Sequence, residues 1–185
     1  MTLTIRGKLM IRMLVISLVT AAAVVFIPAD GAQSAAQQAK PSTEAFLKDV
    51  AEMCQAKSAL GQLAAERAVN TRVKQFVERM IEAHRRIGQE TQLLASRHDV
   101  KLPTELTDEH KQKLKEFSSL SGHAFDREYL RYILGDLQSE VSEFEENMQI
   151  LEDPDVFHWA YRIIPTLRAH IEEARGIKYA LQTNP

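Results

Sequence analysis

From about Glu44 onward, apolar residues recur at alternating steps of three and four, the period of a helix that buries one face. A first helix is predicted from about Glu44 to Ala68, with Phe46, Val50, Met53, Leu60 and Ala64 inward and Ser42-Thr43 as cap residues. A break at Asn70-Thr71 leads into a second, from about Arg72 to His98, whose stripe is Val73, Val77, Met80, His84, Ile87, Thr91, Leu94 and His98. Leu102-Pro103-Thr104 reads as a turn. Thr107-Asp108-Glu109 opens a short helix ending near Leu120-Ser121-Gly122. A third long helix, from about Asp126 to Leu151, turns Tyr129, Ile133, Leu137, Val141, Phe144, Met148 and Leu151 inward, and Asp153-Pro154 closes it because proline disfavours helical geometry in the residue before it. The last, from about Asp155 to Leu181, carries Val156, Ala160, Ile163, Leu167, His170, Ala174, Ile177 and Leu181, with Pro165 inside it where a kink or local break is expected. Four long amphipathic segments with short connections predict an all-α fold: an antiparallel four-helix bundle over residues 44–182, with the short helix on its side.

The chain before this region has a different pattern. Arg6, Lys8 and Arg12 precede an apolar run from Met13 to Ile27, then Pro28 and the small-residue stretch Ala29-Asp30-Gly31-Ala32-Gln33-Ser34-Ala35-Ala36. Basic, apolar and small regions in that order are those of a secretory signal peptide, taken as residues 1–32, with cleavage anywhere from Gly31 to Ala36. The alternative is an uncleaved anchor reaching back past Arg12, since the apolar run alone is shorter than the roughly 20 residues a membrane span needs. No Cys follows the run, so a lipid-modified terminus is not expected. Residues 33–43, polar and Ala-rich, read as a flexible tether.

Composition sharpens the picture in three places. Only 7 Gly and 6 Pro among 185 residues favour long helices over a many-turned β-fold. The formal charge of −2 provides no basic patch for nucleic acid; without Arg6, Lys8, Arg12 and Asp30 it becomes −4. Cys54 is the only cysteine, which rules out an intramolecular disulfide and fits a small buried side chain.

Chemistry is sparse. His84 and His170 fall on inward stripes, and histidines in a helical core are how carboxylate-bridged di-metal sites begin, with Glu140, Asp136 or Glu173 as candidate carboxylates. Yet no Glu-x-x-His occurs, and Asp155-Val156-Phe157-His158, which has a similar spacing, lies at a helix start where an acid is expected anyway. The other reading is two core histidines hydrogen-bonded to their neighbours, or to each other through water. His98, His110, His123 and His158 belong to helix ends or surfaces. From Asp136 to Asp155 the chain holds Asp136, Glu140, Glu143, Glu145, Glu146, Glu152, Asp153 and Asp155 without a Lys or Arg, read as a solvated face. There is no nucleotide loop, nucleophile elbow or Cys/His cluster.

Several runs resemble domain-of-unknown-function family 4142, in family order. They are Gly61-Gln62-Leu63-Ala64-Ala65-Glu66-Arg67-Ala68, Val73-Lys74-Gln75-Phe76-Val77, Met80-Ile81-Glu82-Ala83-His84, Leu102-Pro103, Gly122 with Phe125-Asp126-Arg127-Glu128-Tyr129-Leu130, and Ile164-Pro165-Thr166-Leu167-Arg168-Ala169-His170. The resemblance runs from about Phe46 to Ala174. It implies an exported bacterial protein, often described as an outer-membrane protein, with a ferritin-like helical bundle and no established reaction. Three departures bear on function. Lys57 stands where relatives often carry Glu, Ala83-His84 where they commonly have Asp-His, and Leu137 where a His usually follows the Phe-Asp-x-x-Tyr motif. A Lys and a Leu cannot replace a carboxylate and an imidazole, and a buried ammonium repels a metal cation.

The expectation is therefore a non-catalytic envelope protein, periplasmic or outer-membrane associated, acting through its surface on an envelope partner, in envelope stress or host contact. No cofactor is expected, and the membrane is touched only through an uncleaved leader. The alternative is a ferritin-like metal or redox protein holding iron, manganese or zinc on His84 and His170.

Overall fold

The computed structural model describes residues 43–183, so the expected signal peptide (1–32) and all of the tether but Thr43 lie outside the described residues. Within them the chain forms five helices and no strand: α1 (Thr43–Arg67), α2 (Thr71–Arg97), α3 (Asp108–Ser118), α4 (Gly122–Met148) and α5 (Pro154–Thr183). None is long and apolar enough to cross a membrane.

Local chemistry sets most boundaries. Asn70 caps α2, its side-chain oxygen accepting from Arg72 N at 2.9 Å and Val73 N at 3.4 Å. Thr107 Oγ1 accepts from His110 N at 3.2 Å to open α3. Asp153 Oδ1 accepts from Asp155 N and Val156 N, each at 3.0 Å, and Pro154 then occupies the first helical position, where its missing N–H costs nothing. The two ends of α4 differ most from expectation. α4 begins at Gly122, four residues before Asp126, because Gly122 takes a positive φ of 61° that lets the chain turn straight into the helix. It ends at Met148 rather than Leu151. Pro165 does not break α5: it and Tyr161, whose carbonyl loses its donor, both lie on the exposed face, where water can serve that oxygen.

α1 packs on α2, α4 packs on α5, and the α2–α5 and α1–α4 contacts join the two pairs; α3 rests against α1. The expected stripes are buried, apart from Met53, His98, Met148, Leu151 and Leu181, which are half-buried near helix ends or margins. The seams are wider than the stripes alone: Leu47, Phe76, Phe125, Trp159, Ile164 and Ile171 are buried as well. Rings mark two parts of this core. Phe46 of α1 packs edge to face with Phe144 of α4 and Trp159 of α5, while Phe117 on α3 packs edge-on to Phe125, Tyr129 and Tyr132 of α4. At Gly61, α1 and α2 come so close that an added Cβ would stand 2.6 Å from Ile81 Cγ1.

Candidate functional site

Among the described residues, six polar or charged ones are buried: Lys57, His84, Thr91, Asp126, Glu140 and His170. Thr91 and Asp126 serve structure. Thr91 Oγ1 donates to Ile87 O within its own helix at 2.8 Å. Asp126, 1% exposed, accepts from Val69 N at 3.1 Å and Asn70 N at 2.9 Å, so a side chain of α4 clamps the α1–α2 connection. That role was not visible in the sequence, where Asp126 reads as a helix start.

The other four meet. On α4, Asp136 and Glu140 are four residues apart and so share a face. Lys57 reaches them from α1, its Nζ 2.5 Å from Asp136 Oδ2 and 3.1 Å from Glu140 Oε2. On the far side of Glu140, His84 Nε2 lies 3.2 Å from Oε1, and His84 Nδ1 lies 2.9 Å from Met80 O. The carbonyl can only accept, so Nδ1 carries a proton there. At the other ring nitrogen, Nε2 faces Glu140 Oε1, so any further ligand would have to displace that contact. His170, on α5, stacks on His84 with ring centres 5.9 Å apart and planes 24° from parallel, and meets the edge of Phe76. Its Nδ1 is buried without a hydrogen-bond partner. The two imidazoles therefore stack rather than hydrogen-bond to each other.

Opposing electrostatic effects act on each group. Burial pushes the Glu140 carboxyl up, but the Lys57 ammonium and the His84 hydrogen bond outweigh it and hold the group below its ordinary range. Burial works against the Lys57 charge, yet Glu140 and Asp136 together raise its affinity for the proton above normal. Burial, then the neighbouring His84, lowers His170, with Glu140 and Glu173 opposing in part. Burial and then Glu140 push the nearby Cys54 thiol up to about 12, which leaves it protonated and inert.

Over Lys57 opens a cleft of about 280 Å³ between α1, α3 and α4. Asp49, Glu52 and Glu143 line it together with Met53, Ala56, Leu60 and Leu114, and Asp136, Glu140 and Lys57 are part of its lining. Burial, then repulsion from Glu52, raises the Asp49 carboxyl; burial likewise raises Glu143, with Glu140, Asp136 and Asp49 adding to it against Lys57.

The remaining candidates separate from this cluster. Glu173 turns out to pair with Arg79. His98 is 3.6 Å from Asp153, His110 is 3.9 Å from Glu52, and His123 and His158 are exposed. The acidic run is not uniformly a solvated face, since Glu140 is 2% exposed and Asp136 is half-buried. Among the described residues no group of three or more His, Cys, Asp and Glu is placed to hold a metal ion.

The family described as "Domain of unknown function (DUF4142)" matches residues 28–177. The chain belongs to this family. No curated protein and no solved structure matches it. Within this DUF4142 chain, the iron, manganese or zinc suggested by a ferritin-like resemblance finds a poor fit. An ammonium already stands between the two carboxylates, both His84 ring nitrogens are engaged with Met80 O and Glu140 Oε1, and buried Leu137 fills the position where the resemblance implies an imidazole. Lys57 stands out in the sequence as a departure from the family resemblance; that it lies between Asp136 and Glu140 does not.

Proposed function

We propose that this DUF4142 protein is a non-catalytic, exported envelope protein, folded as a ferritin-like antiparallel four-helix bundle and acting through its surface on an envelope partner. One observation carries the reading: Lys57, Asp136, Glu140 and His84 are engaged with one another. Lys57 bridges Asp136 and Glu140, and His84 lies against the other oxygen of Glu140. Such a cluster holds helices in register rather than offering an open coordination position or an activated nucleophile. Export is supported by the basic, apolar and small-residue order of residues 6–36.

The test is metal content and N-terminal sequence, measured together on protein prepared without a histidine tag from the native envelope. The expected result is substoichiometric metal and a first residue between Gly31 and Ala36. A second reading, a metal or redox protein, is favoured by the meeting of His84, His170 and Glu140 in one place. Stoichiometric iron, manganese or zinc, lost in His84→Ala, would establish it and displace the first.

A further inference from the structure

We propose that Asp136 and Glu140 form a preformed seat for one primary ammonium group at the floor of the α1–α3–α4 cleft, and that Lys57 is its tethered occupant. With the tether removed, the seat takes a free short-chain primary alkylammonium. This rests on the reading above, in which no metal occupies the cluster.

The seat is fixed from behind. Glu140 is held on Oε1 by His84, whose ring is itself tied to Met80 O, so the carboxylate cannot swing away when its ammonium is lost. Asp136 receives Tyr132 Oη on Oδ1 at 3.5 Å and presents Oδ2 to the ammonium. The two oxygens lie at ion-pair distances of 2.5 Å and 3.1 Å from Nζ, whereas metal–carboxylate bonds are about 2.0–2.2 Å. Access is provided as well. The Asp136 side chain is 30% exposed, and the cleft above it offers an apolar wall of Met53, Ala56, Leu60 and Leu114 for an alkyl stem. Around it the carboxylates Asp49, Glu52 and Glu143 outnumber the one other lining ammonium, Lys113, and favour cations. Cutting Lys57 back to Ala removes Cγ, Cδ, Cε and Nζ, the heavy atoms of n-propylammonium.

The experiment is thermal unfolding of Lys57→Ala, followed by circular dichroism, in increasing n-propylammonium chloride. Sodium chloride and tetramethylammonium chloride at matched ionic strength are the controls, since the latter is a cation with no N–H to donate. The expected result is a saturable rise in Tm with n-propylammonium alone, at least tenfold tighter than any response of the wild type, and abolished in Lys57→Ala/Glu140→Gln. No saturable rise, or an equal rise with tetramethylammonium, would overturn the seat. If Lys57→Ala folds only with help, recovery of helical signal on refolding with and without n-propylammonium reads the same binding. The wild type supplies an independent measurement: one lysine ammonium whose protons exchange slowly enough to be seen by ¹⁵N NMR at neutral pH, and its absence would overturn the seat too. Metal-free wild type with no amine response in the variant sinks the seat alone, whereas stoichiometric metal in the wild type sinks the preceding reading.

Discussion

Replacing Lys57 by Met keeps the length and apolar volume of the side chain and removes only its charge, which isolates what the ammonium does. Asp136 is 30% exposed, so water can screen it and its share of the effect is small. Glu140 is 2% exposed and decides the outcome. Without Lys57 it either stays ionised in the interior, at several kcal/mol, or takes up a proton. From a reference value of about 4.3, protonation at pH 7 costs about 1.36 kcal/mol for each of roughly 2.7 units, near 3.7 kcal/mol in all, and this sets the ceiling. The His84 contact remains and lowers the figure somewhat, so a loss of about 3 kcal/mol is expected at pH 7. The sign with pH is fixed by linkage. In the variant, folded Glu140 binds its proton more tightly than the unfolded chain does, so stability rises as pH falls, by up to about 1.4 kcal/mol per unit, until the unfolded carboxyl also protonates near pH 4.3. Urea unfolding followed by circular dichroism at several pH values between 5 and 8 measures the deficit against wild type. The double variant Lys57→Met/Glu140→Gln removes both charges and should recover most of it. A deficit under about 1 kcal/mol, one independent of pH, or a double variant worse than the single would refute this account of the cluster.

Other perturbations test neighbouring parts of the structure. Asp126→Ala leaves the Val69 and Asn70 amides without their acceptor and should cost about 2–3 kcal/mol, read as a lower urea midpoint; an unchanged midpoint would show that the clamp is idle. Gly61→Ala drives a methyl into Ile81 and should cost about 1–3 kcal/mol, despite alanine's better helix propensity, so a gain in Tm would mean that α1 and α2 separate cheaply. His170 has its proton affinity lowered by burial and then by His84, so below about pH 6.5 the unfolded chain binds a proton that the folded one does not. Stability should therefore fall as pH drops through 6.5 and level off below the folded value; His170→Phe should flatten that segment of the urea-midpoint profile, and an unaltered slope would assign it elsewhere. Cys54, with its thiol pushed up to about 12 by burial and Glu140, should resist a thiol-reactive dye until the chain unfolds.

Periodicity and caps determined the helical class. Seams stepping by three and four, and Asn70 before the second helix and Thr107 before the short one, are local properties, and local hydrogen bonds and side-chain shape largely decide them. The same reading put His84 and His170 inward, and the family resemblance marked Lys57 as a departure. Where it missed, the deciding contact was distant in sequence. Asp126 has the type and position of a helix cap, but its partners are amides 56 and 57 residues away. Glu140 and Glu143 belong to one acidic run and look alike along the chain. Only the packing of α1 and α2 against α4 buries Glu140 between an ammonium and an imidazole and leaves Glu143 on the cleft. A sequence records which charges are present and which face of a helix each occupies; whether a charge loses its water, and which opposite charge it then meets, depends on how the helices come together.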